Sequence, residues 1–556
     1  MPKQSKRKAS PLLVAGKGAY ARLLADEDGL GHGLGPCPQP LTPSRPAARS
    51  RARLVPSEAR AEPLGSGLDR KFLATFVAHA ASSLPQSFWD GLGRSMGGAP
   101  APIRIKVGTA CSGSEIYLTA MPLLAAEIAT RLRRPVHFDH RWSCELDANK
   151  RQWIADNFAP PRLFADITAL AAGPCHDFVS GALAEVEIVD LVIAGTSCKD
   201  ASRLNNQHAA RLNVVEKGTH STGATFQGLT RLVAKFGLCC RLVCLENVTS
   251  LRDKDPRTGR SNFDGVADAV RSLGFGFVSA AFSAEDTGLP IARPRLYMSG
   301  VRCSDEALAQ RAADAVLAAM ISRACPVPLE ALLLQEAAPL FLMSLWMPEA
   351  LLRDGACSCD VQEQGWQQQH KAAWRDIPPS VQAHVLPQFT GNPWLRTLSP
   401  RQRDLLFLVS CQDHMTAKKA LAIPLHSSVG WETSSSATCL QTLVPKGVYW
   451  LVERKRPLLG VEAIRLQGCD PASLPGLVPA RHDAAFLSDL AGNAFCVYQF
   501  CLWLLAALAA GDLASFGLAP HATQNKRCLG MYVRTHARSN AHIGYVCNSC
   551  ILYNTL

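Results

Sequence analysis

The sequence contains no uninterrupted apolar run of about 20 residues, the length that a membrane-spanning helix needs. Its longest apolar stretch, residues 494–510, includes Gln499, which favours a buried helix over a membrane span. No secretory signal peptide is evident, because the apolar runs near the N-terminus are short and broken by charges. The 20 cysteines are scattered and show no paired framework. These absences favour a protein of a reducing compartment that has no membrane partner.

The composition is that of a mostly globular chain with several domains. The 556 residues are 47% hydrophobic and 19% charged, which leaves ample material for large cores. The formal net charge of +12 favours a polyanionic partner.

Residues 1–65 are rich in Arg, Pro, Ala and Gly and have little periodicity, which predicts a disordered basic tail. Its first basic residues are Lys3, Lys6, Arg7 and Lys8. They are typical of a nuclear-import signal or a phosphate-binding arm, and a merely solvated tail is the alternative. A transit peptide is a third possibility, since no acidic residue precedes Asp26. The expected location is the nucleus, otherwise the cytoplasm.

Residues 66–100 are expected to be a helical lead-in, and a different pattern begins at residue 101. A strand at 103–107, a small-residue loop at 108–114 and a helix at 116–132, disturbed at Pro122, resemble the opening of a nucleotide-binding sheet. The loop lacks a full G-x-G-x-x-G. Further strands are predicted at 138–144, 189–194, 241–245, 275–283 and beyond Arg295, with helices at 229–236 and 262–273 and a loop at 203–222. This alternation predicts an α/β fold with a doubly wound, mainly parallel sheet over residues 101–302.

Reactive side chains follow the predicted buried strands. Cys198 comes shortly after the strand at 189–194, and Glu246 directly follows the strand at 241–245. Open α/β sheets bind their ligands at the carboxyl ends of their strands. Lys199 is expected to favour the thiolate of Cys198, although most of the cysteines in such a chain are buried and inert.

Residues 303–445 differ in composition from the preceding segment, with Ala/Leu-rich helical stretches and then a Trp-, Gln- and Pro-containing region. We interpret them as an inserted or appended domain, followed by regular structure over 446–511 and a tail at 512–556. The tail contains Cys547 and Cys550 in a C-x-x-C. A single such pair is only half of a zinc site, so no metal is predicted.

Several motifs in order resemble the C5-cytosine-specific DNA methyltransferase family. The strongest are D-L-V-I-A-G-T-S-C-K-D-A-S (190–202), L-E-N-V (245–248) and G-L-P-I-A-R-P-R-L-Y (288–297). V-E-A-I-R-L-Q-G (461–468) and A-G-N-A (491–494) are similar to the closing motifs of the family. The resemblance implies a Rossmann-like, S-adenosylmethionine-dependent methyltransferase fold, with residues 303–445 as the smaller target-recognition domain.

The resemblance also implies the chemistry. Cys198 would be the covalent nucleophile that adds to cytosine C6 and activates C5. Glu246 would be the acid near N3, while Arg293 and Arg295 would orient the base and steady Cys198. A surface ion pair is the alternative for the arginines. The substrate would be duplex DNA, and its cytosine would have to be flipped out of the helix.

For S-adenosyl-L-methionine, the resemblance implies a pocket along the carboxyl edge of the first strands. Its methionine part would lie at Thr109 and Gly113, and its ribose at Glu145. Its adenine would lie between Leu146 and Ile167, with Asp166 on the exocyclic amine. Asn493 would close the pocket.

The sequence departs from the family in supporting positions. Ser197 replaces the proline that precedes the catalytic cysteine, Lys199 replaces Gln or Asn, and Ile291 replaces Gln. Thr109 and Cys111 stand where an aromatic residue and a glycine are usual. Two alternatives therefore stay open: an RNA (tRNA) cytosine methyltransferase of the same family, and a catalytically silent homologue that binds nucleic acid or a partner.

Overall fold

The computed structural model describes residues 68–95, 101–335, 364–429, 438–477 and 484–511. The predicted tails at 1–65 and 512–556 lie outside these residues. The basic segment that starts at Lys3 and the C-x-x-C at Cys547 therefore also lie outside the described residues.

Strands and helices alternate through the first part of the described chain. The N-terminal elements are α1 (Leu68–Ser82), α2 (Gln86–Ser95), β1 (Ile103–Ala110), α3 (Met121–Leu132), β2 (Val136–Cys144), α4 (Ala148–Phe158) and β3 (Leu163–Phe164). A small hairpin of β4 (Cys175–Asp177) and β5 (Ala182–Ala184) follows, and then come β6 (Leu191–Ala194), α5 (Val214–Lys217), α6 (His220–Phe236), β7 (Leu242–Asn247), α7 (Asn262–Ser272), β8 (Gly276–Phe282) and β9 (Arg295–Val301).

The remaining elements are mostly helical. They are α8 (Glu306–Ile321), α9 (Leu329–Leu332), α10 (Gln364–Arg375), α11 (Pro379–Val385), α12 (Pro400–Met415), β10 (Ala422–Pro424), β11 (Tyr449–Leu451), β12 (Arg456–Pro457), α13 (Gly460–Leu466), α14 (Ala484–Asn493) and α15 (Val497–Ala510). Strands β10, β11 and β12 form a separate antiparallel sheet.

The main sheet has the order β3-β2-β1-β6-β7-β9-β8. All of its strands run parallel except β9, which is antiparallel to both of its neighbours. Alternate residues of β6 enter different cores: Leu191 and Ile193 join one apolar cluster, and Val192 and Ala194 join the other. Because a strand points successive side chains to opposite faces, apolar runs of this kind indicate a sheet that is covered on both sides. The predicted doubly wound, mainly parallel α/β fold is confirmed.

The largest difference from the predicted elements is the start of α6. A loop was expected over residues 203–222, but this segment contains α5, and α6 begins at His220 rather than at residue 229. Its first two turns carry Ser, Thr and Gly, which are weak helix formers. Tertiary contacts hold these turns in place, because Thr222, Gly223, Phe226 and Gly228 are all buried.

The C-terminal helix completes the core of the sheet. α15 packs mainly against α8, and it also contacts β7, β8 and β9. Within the described residues, the stretch Ala484–Ala510 is long and apolar enough to cross a membrane by length and composition, but 89% of its most apolar window is buried inside the protein. α8 also lies against β8, so the residues just beyond 302 are in contact with the sheet. The domain boundaries at 302 and 445 stay predictions.

Candidate active site

The loop after β6 carries Cys198 to the carboxyl edge of the sheet. Two contacts join this loop to neighbouring strands: Gly195 N donates to Ala110 O (3.0 Å), and Asn247 Nδ2 donates to Thr196 O (3.1 Å). A side chain on Gly195 would meet Phe495, since a Cβ there would lie 2.7 Å from the ring. Cys198 is a free thiol that remains partly exposed at this edge.

Glu246 and Arg295 form an ion pair at the same edge. β7 and β9 are neighbours in which Glu246 lies opposite Tyr297, and Arg295 Nε is 2.9 Å from Glu246 Oε1. Both side chains are 12% exposed, so the pair faces a restricted space rather than open solvent. The structure therefore brings three of the four predicted catalytic residues together: Cys198, Glu246 and Arg295.

The electrostatics around Cys198 differ from the expectation. Burial raises the pKa of the Cys198 thiol, and the Glu246 carboxylate raises it further. The cations that lower this pKa are Arg295 and Arg293. Lys199 is exposed, so its expected effect on the thiolate stays a prediction, whereas Arg295 at the start of β9 and Arg293 just before it lower the pKa of Cys198. Burial also raises the pKa of Glu246, while Arg295 opposes the shift, so this carboxyl holds its proton more readily than an exposed one.

Arg293 lies under the site rather than in it. Its side chain is 1% exposed and donates hydrogen bonds to the backbone oxygens of Leu443 (3.1 Å), Gly492 (3.0 Å) and Ala494 (2.5 Å). Burial lowers the pKa of Arg293 to about 10. Its hydrogen bonds clamp the C-terminal segment to the sheet, and a direct contact with Cys198 or with a base stays a prediction.

The structure also brings together three of the residues predicted to bind the cofactor. Gly113 N donates to Glu145 Oε2 (3.2 Å), and Asp147 N donates to Glu145 Oε1 (3.0 Å). Gly113 has a φ of 65°, and a Cβ there would lie 3.4 Å from Asn493 Cβ. Gly113, Glu145 and Asn493 therefore line one small region, although they come from distant parts of the sequence.

The other predicted cofactor residues differ in how much surface they offer. Leu146 is 72% exposed, and Asp166 is exposed and accepts from Thr168 N and Oγ1 through Oδ1 (2.8 Å each). Ile167 is 2% exposed and belongs to a sheet core, so it offers almost no surface to an adenine. Of the two side chains predicted to enclose the adenine, only Leu146 therefore has surface available for contact.

Thr109 is fully buried and does not face the cleft. Its Oγ1 donates to Glu115 Oε1 (2.5 Å), and Ser143 Oγ donates to Glu115 Oε2 (2.9 Å). Burial raises the pKa of Glu115 to about 7, although hydrogen bonds from Thr109 and Ser143 oppose this shift. A contact between Thr109 and the cofactor is therefore contradicted, because its hydroxyl lies in a buried polar cluster beneath the 108–114 loop.

Sequence reasoning missed two residues that support this site. Asn247 was quoted within L-E-N-V, but no role was given to its side chain, which connects β7 to the loop of Cys198. A polar residue right after an acid at a strand end was the available signal. Glu115 was missed because an acid after a small-residue loop resembles a surface residue, and only the fold shows that it is buried.

The substitution at Ile291 is accommodated by the backbone. Ile291 is fully buried, and the chain beside it pairs with residue 440: Ala292 N donates to Leu440 O (2.7 Å) and Leu440 N donates to Pro290 O (3.0 Å). These bonds order the loop without the side-chain amide that the family usually has at this position.

The chain is similar to known proteins over parts of its sequence. Residues 126–330 match the C-5 cytosine-specific DNA methylase family. The chain is 28% identical over 424 residues to the DNA (cytosine-5-)-methyltransferase DMT5 of Cryptococcus neoformans var. grubii, over 73% of this chain and 17% of that protein. It is 34% identical over 110 residues to DMT5 of Verticillium dahliae, over 19% of this chain and 5% of that protein.

The matched region thus spans less than a fifth of the length of either curated relative. The crystal structure of the S. pombe Dnmt2 methyltransferase is also similar, at 13% identity and a TM-score of 0.39, over 73% of this chain and 98% of that one. That likeness is too distant to bear on function. The family match includes Glu145, Cys198, Glu246 and Arg295. Over residues 126–330 the chain is therefore similar to the C-5 cytosine-specific DNA methylase family.

Proposed function

We propose that this chain is a DNA (cytosine-5-)-methyltransferase that acts on a cytosine flipped out of duplex DNA. The observation that carries the proposal is the placement of the Glu246–Arg295 pair beside Cys198, at the edge where the buried strands β6 and β7 end. A thiol, an acid and a guanidinium at one sheet edge provide a nucleophile, a proton donor and a cation for the same ring.

Each residue has a defined step. The sulfur of Cys198, as thiolate, forms a bond to C6 of the cytosine, and electron density moves toward N3 and C5. Glu246 gives a proton to N3, a transfer that the burial-raised pKa of this carboxyl supports, while Arg295 donates to the base carbonyl. After C5 has been methylated, it loses its proton to a base, the N3 proton returns to the Glu246 carboxylate, and the bond between sulfur and C6 breaks to restore the thiolate and release the methylated base.

S-adenosyl-L-methionine fits the region beside Gly113. The Glu145 carboxylate uses one lone pair on each oxygen for the backbone amides of Gly113 and Asp147, which leaves acceptor capacity for ribose hydroxyls. Ser114 Oγ is buried and has no hydrogen-bond partner among the described residues, so it offers a further polar contact. When bound, the cofactor would supply the methyl group. Gly113, Glu145 and Asn493 would hold it, with the exposed Leu146 and Asp166 at the adenine end.

Charge supports the proposed substrate class and the proposed cellular location. The net charge of +12 suits a nucleic-acid partner, and a cytosine inside a duplex must leave the stack before sulfur can reach C6. We assign recognition of the target to residues 303–445, and the basic N-terminal segment suggests the nucleus.

The proposal is tested by covalent trapping. Duplex DNA that contains 5-fluorocytosine has no C5 proton to lose, so the enzyme should remain bound to it as a denaturation-resistant adduct in the presence of S-adenosylmethionine. Wild-type protein should form this adduct, and Cys198→Ala should not. Cys175→Ala is the matched control, because it removes a partly exposed thiol at the β4–β5 hairpin, which does not belong to the proposed site.

The other outcomes separate the alternatives. An adduct only with 5-fluorocytosine RNA would assign the protein to the RNA branch of the family. If neither nucleic acid gives an adduct although the protein binds S-adenosylmethionine, the proposed activity is wrong and a silent homologue is favoured. An adduct that persists in Cys198→Ala would refute the assignment of the nucleophile.

A further inference from the structure

The residue before the proposed nucleophile is bound to a helix by side-chain hydroxyls. Ser197 N donates to Thr225 Oγ1 (3.3 Å), and Ser221 Oγ donates to Ser197 Oγ (2.9 Å). Thr225 Oγ1 is itself oriented, because it donates to Ser221 O (2.8 Å). Ser221 and Thr225 are one turn apart on α6 and therefore share a face of the helix, toward the loop of Cys198.

A second contact, on the other side of Cys198, reaches the same helix turn. Thr222 N donates to Asp200 Oδ2 (2.8 Å), and Asp200 N donates to Thr222 Oγ1 (3.2 Å). Asp200 is buried and also forms an ion pair with Arg211. A carboxylate that accepts a free amide of the first helical turn is a stabilising arrangement. The loop is thus held two residues after Cys198 as well as one residue before it.

We propose that the first turns of α6 form a hydroxyl grip that positions Cys198, in which Ser197 is a positioning residue with Ser221 and Thr225 as its partners. A proline at this position would restrict the loop through its ring, because proline fixes φ and has no N–H to donate. Ser197 instead restricts the loop through two hydrogen bonds to α6. The inference rests on the proposed function only for its catalytic consequence, since the grip itself is a property of the free protein.

The grip predicts an energetic coupling that a merely structural role would not produce. Thr225→Val keeps the shape of the side chain and removes the acceptor of Ser197 N. If that contact holds the loop, the substitution should matter when residue 197 has an N–H, and it should not matter when residue 197 is proline. A net hydrogen bond of ordinary strength corresponds to about a fivefold change in local opening.

Hydrogen–deuterium exchange of the peptide over residues 196–203 measures this without substrate. Thr225→Val should accelerate exchange about three- to tenfold in the wild-type background and less than twofold in the Ser197→Pro background. The matched control is Thr230→Val on the same helix, whose hydroxyl donates to Phe226 O (2.9 Å) and, within the described part of the chain, to no atom of the Cys198 loop. It should leave this peptide unchanged in both backgrounds. Equal acceleration by Thr225→Val in the two backgrounds, or none in either, overturns the grip.

A second double-mutant cycle, between Ser197 and Ser221, tests the other hydrogen bond without a proline variant. Ser221→Ala removes the donor to Ser197 Oγ, and Ser197→Ala removes the acceptor. The two changes should each accelerate exchange, and the double variant should exchange no faster than Ser197→Ala alone, which also removes the acceptor of Lys199 N (3.4 Å). Additive effects would contradict the contact.

Single-turnover methyl transfer then connects the grip to catalysis. Thr225→Val should slow the transfer about three- to tenfold while the Kd for S-adenosylmethionine stays constant, and Ser197→Pro/Thr225→Val should equal Ser197→Pro. An unchanged transfer rate with accelerated exchange would show that the grip holds the loop but does not position the nucleophile, which refutes that part of the inference. If wild-type protein transfers no methyl group, the proposed function fails, while the exchange result still decides whether the grip exists.

Discussion

Replacing Arg293 by lysine distinguishes a structural clamp from a catalytic group. The guanidinium of Arg293 donates to three backbone oxygens, at Leu443, Gly492 and Ala494, over 2.5–3.1 Å. Lysine keeps the positive charge, but its ammonium is a single point that cannot replace the planar fork of donors. We therefore expect Arg293→Lys to destabilise the fold and to loosen the segment that carries Asn493.

The size of the effect follows from the buried contacts. A hydrogen bond from a charged donor contributes about 1.5–3 kcal/mol, so three bonds contribute about 5–9 kcal/mol. Burial, together with the positive charge of Arg295, opposes them by about 3 kcal/mol, the free energy that corresponds to a pKa lowered from 12.5 to about 10. Lysine retains most of the burial cost and loses about two of the three bonds, which predicts a loss of about 3–6 kcal/mol in the free energy of unfolding.

Urea unfolding of wild type, Arg293→Lys and Arg295→Lys measures this prediction. Arg295 is the matched control: it is two residues away but pairs with Glu246 at the partly exposed site. Arg295→Lys should lower the free energy of unfolding by less than about 2 kcal/mol and abolish adduct formation. Calorimetry should show a raised Kd for S-adenosylmethionine only in Arg293→Lys. A loss below about 1 kcal/mol in Arg293→Lys, or a larger loss in Arg295→Lys, would refute the clamp.

Two further predictions concern the 108–115 segment. Because the pKa of Glu115 is raised to about 7 in the folded protein, its contribution to stability is present below pH 4.5 and is lost as the pH rises through 7, by up to about 3 kcal/mol. Glu115→Gln should flatten this slope in urea unfolding at pH 5.5 and pH 8, and an unchanged slope would contradict it. Gly113→Ala should cost about 1–2 kcal/mol, because φ is positive there, and should weaken binding of S-adenosylmethionine, because the new Cβ approaches Asn493. Gly173→Ala, where a Cβ meets nothing within 4 Å, is its control in thermal unfolding and calorimetry, and equal behaviour of the two variants would count against the prediction.

The predicted strands were recovered because the local pattern contains the information. The apolar strand β6 lies between two cores, so every one of its residues is buried, and its side chains can all be apolar. The meeting of Cys198 with Glu246 also followed from the sequence, because parallel neighbouring strands bring their carboxyl ends to one edge.

The roles of the two arginines could not be separated in this way. Arg293 and Arg295 are two residues apart in one motif, and nothing local distinguishes them. Their difference comes from segments 150 or more residues away, since Leu443, Gly492 and Ala494 surround Arg293 and leave Arg295 to Glu246. Thr109 and Ile167 were misjudged for the same reason: whether a side chain faces a cleft or a core depends on what packs over it.

The sequence alone therefore determined the elements whose signal is periodic or adjacent along the chain, namely the buried strands, the sheet class and the residues at the strand ends. Only the tertiary structure decided which of those residues share a surface with Cys198 and which are buried beneath it. It also decided that a serine can hold the loop where a proline is usual, because the hydroxyls that bind Ser197 lie on α6, 24 and 28 residues along the chain. Hydrogen bonds of this kind depend on distance in space, which a linear pattern does not encode.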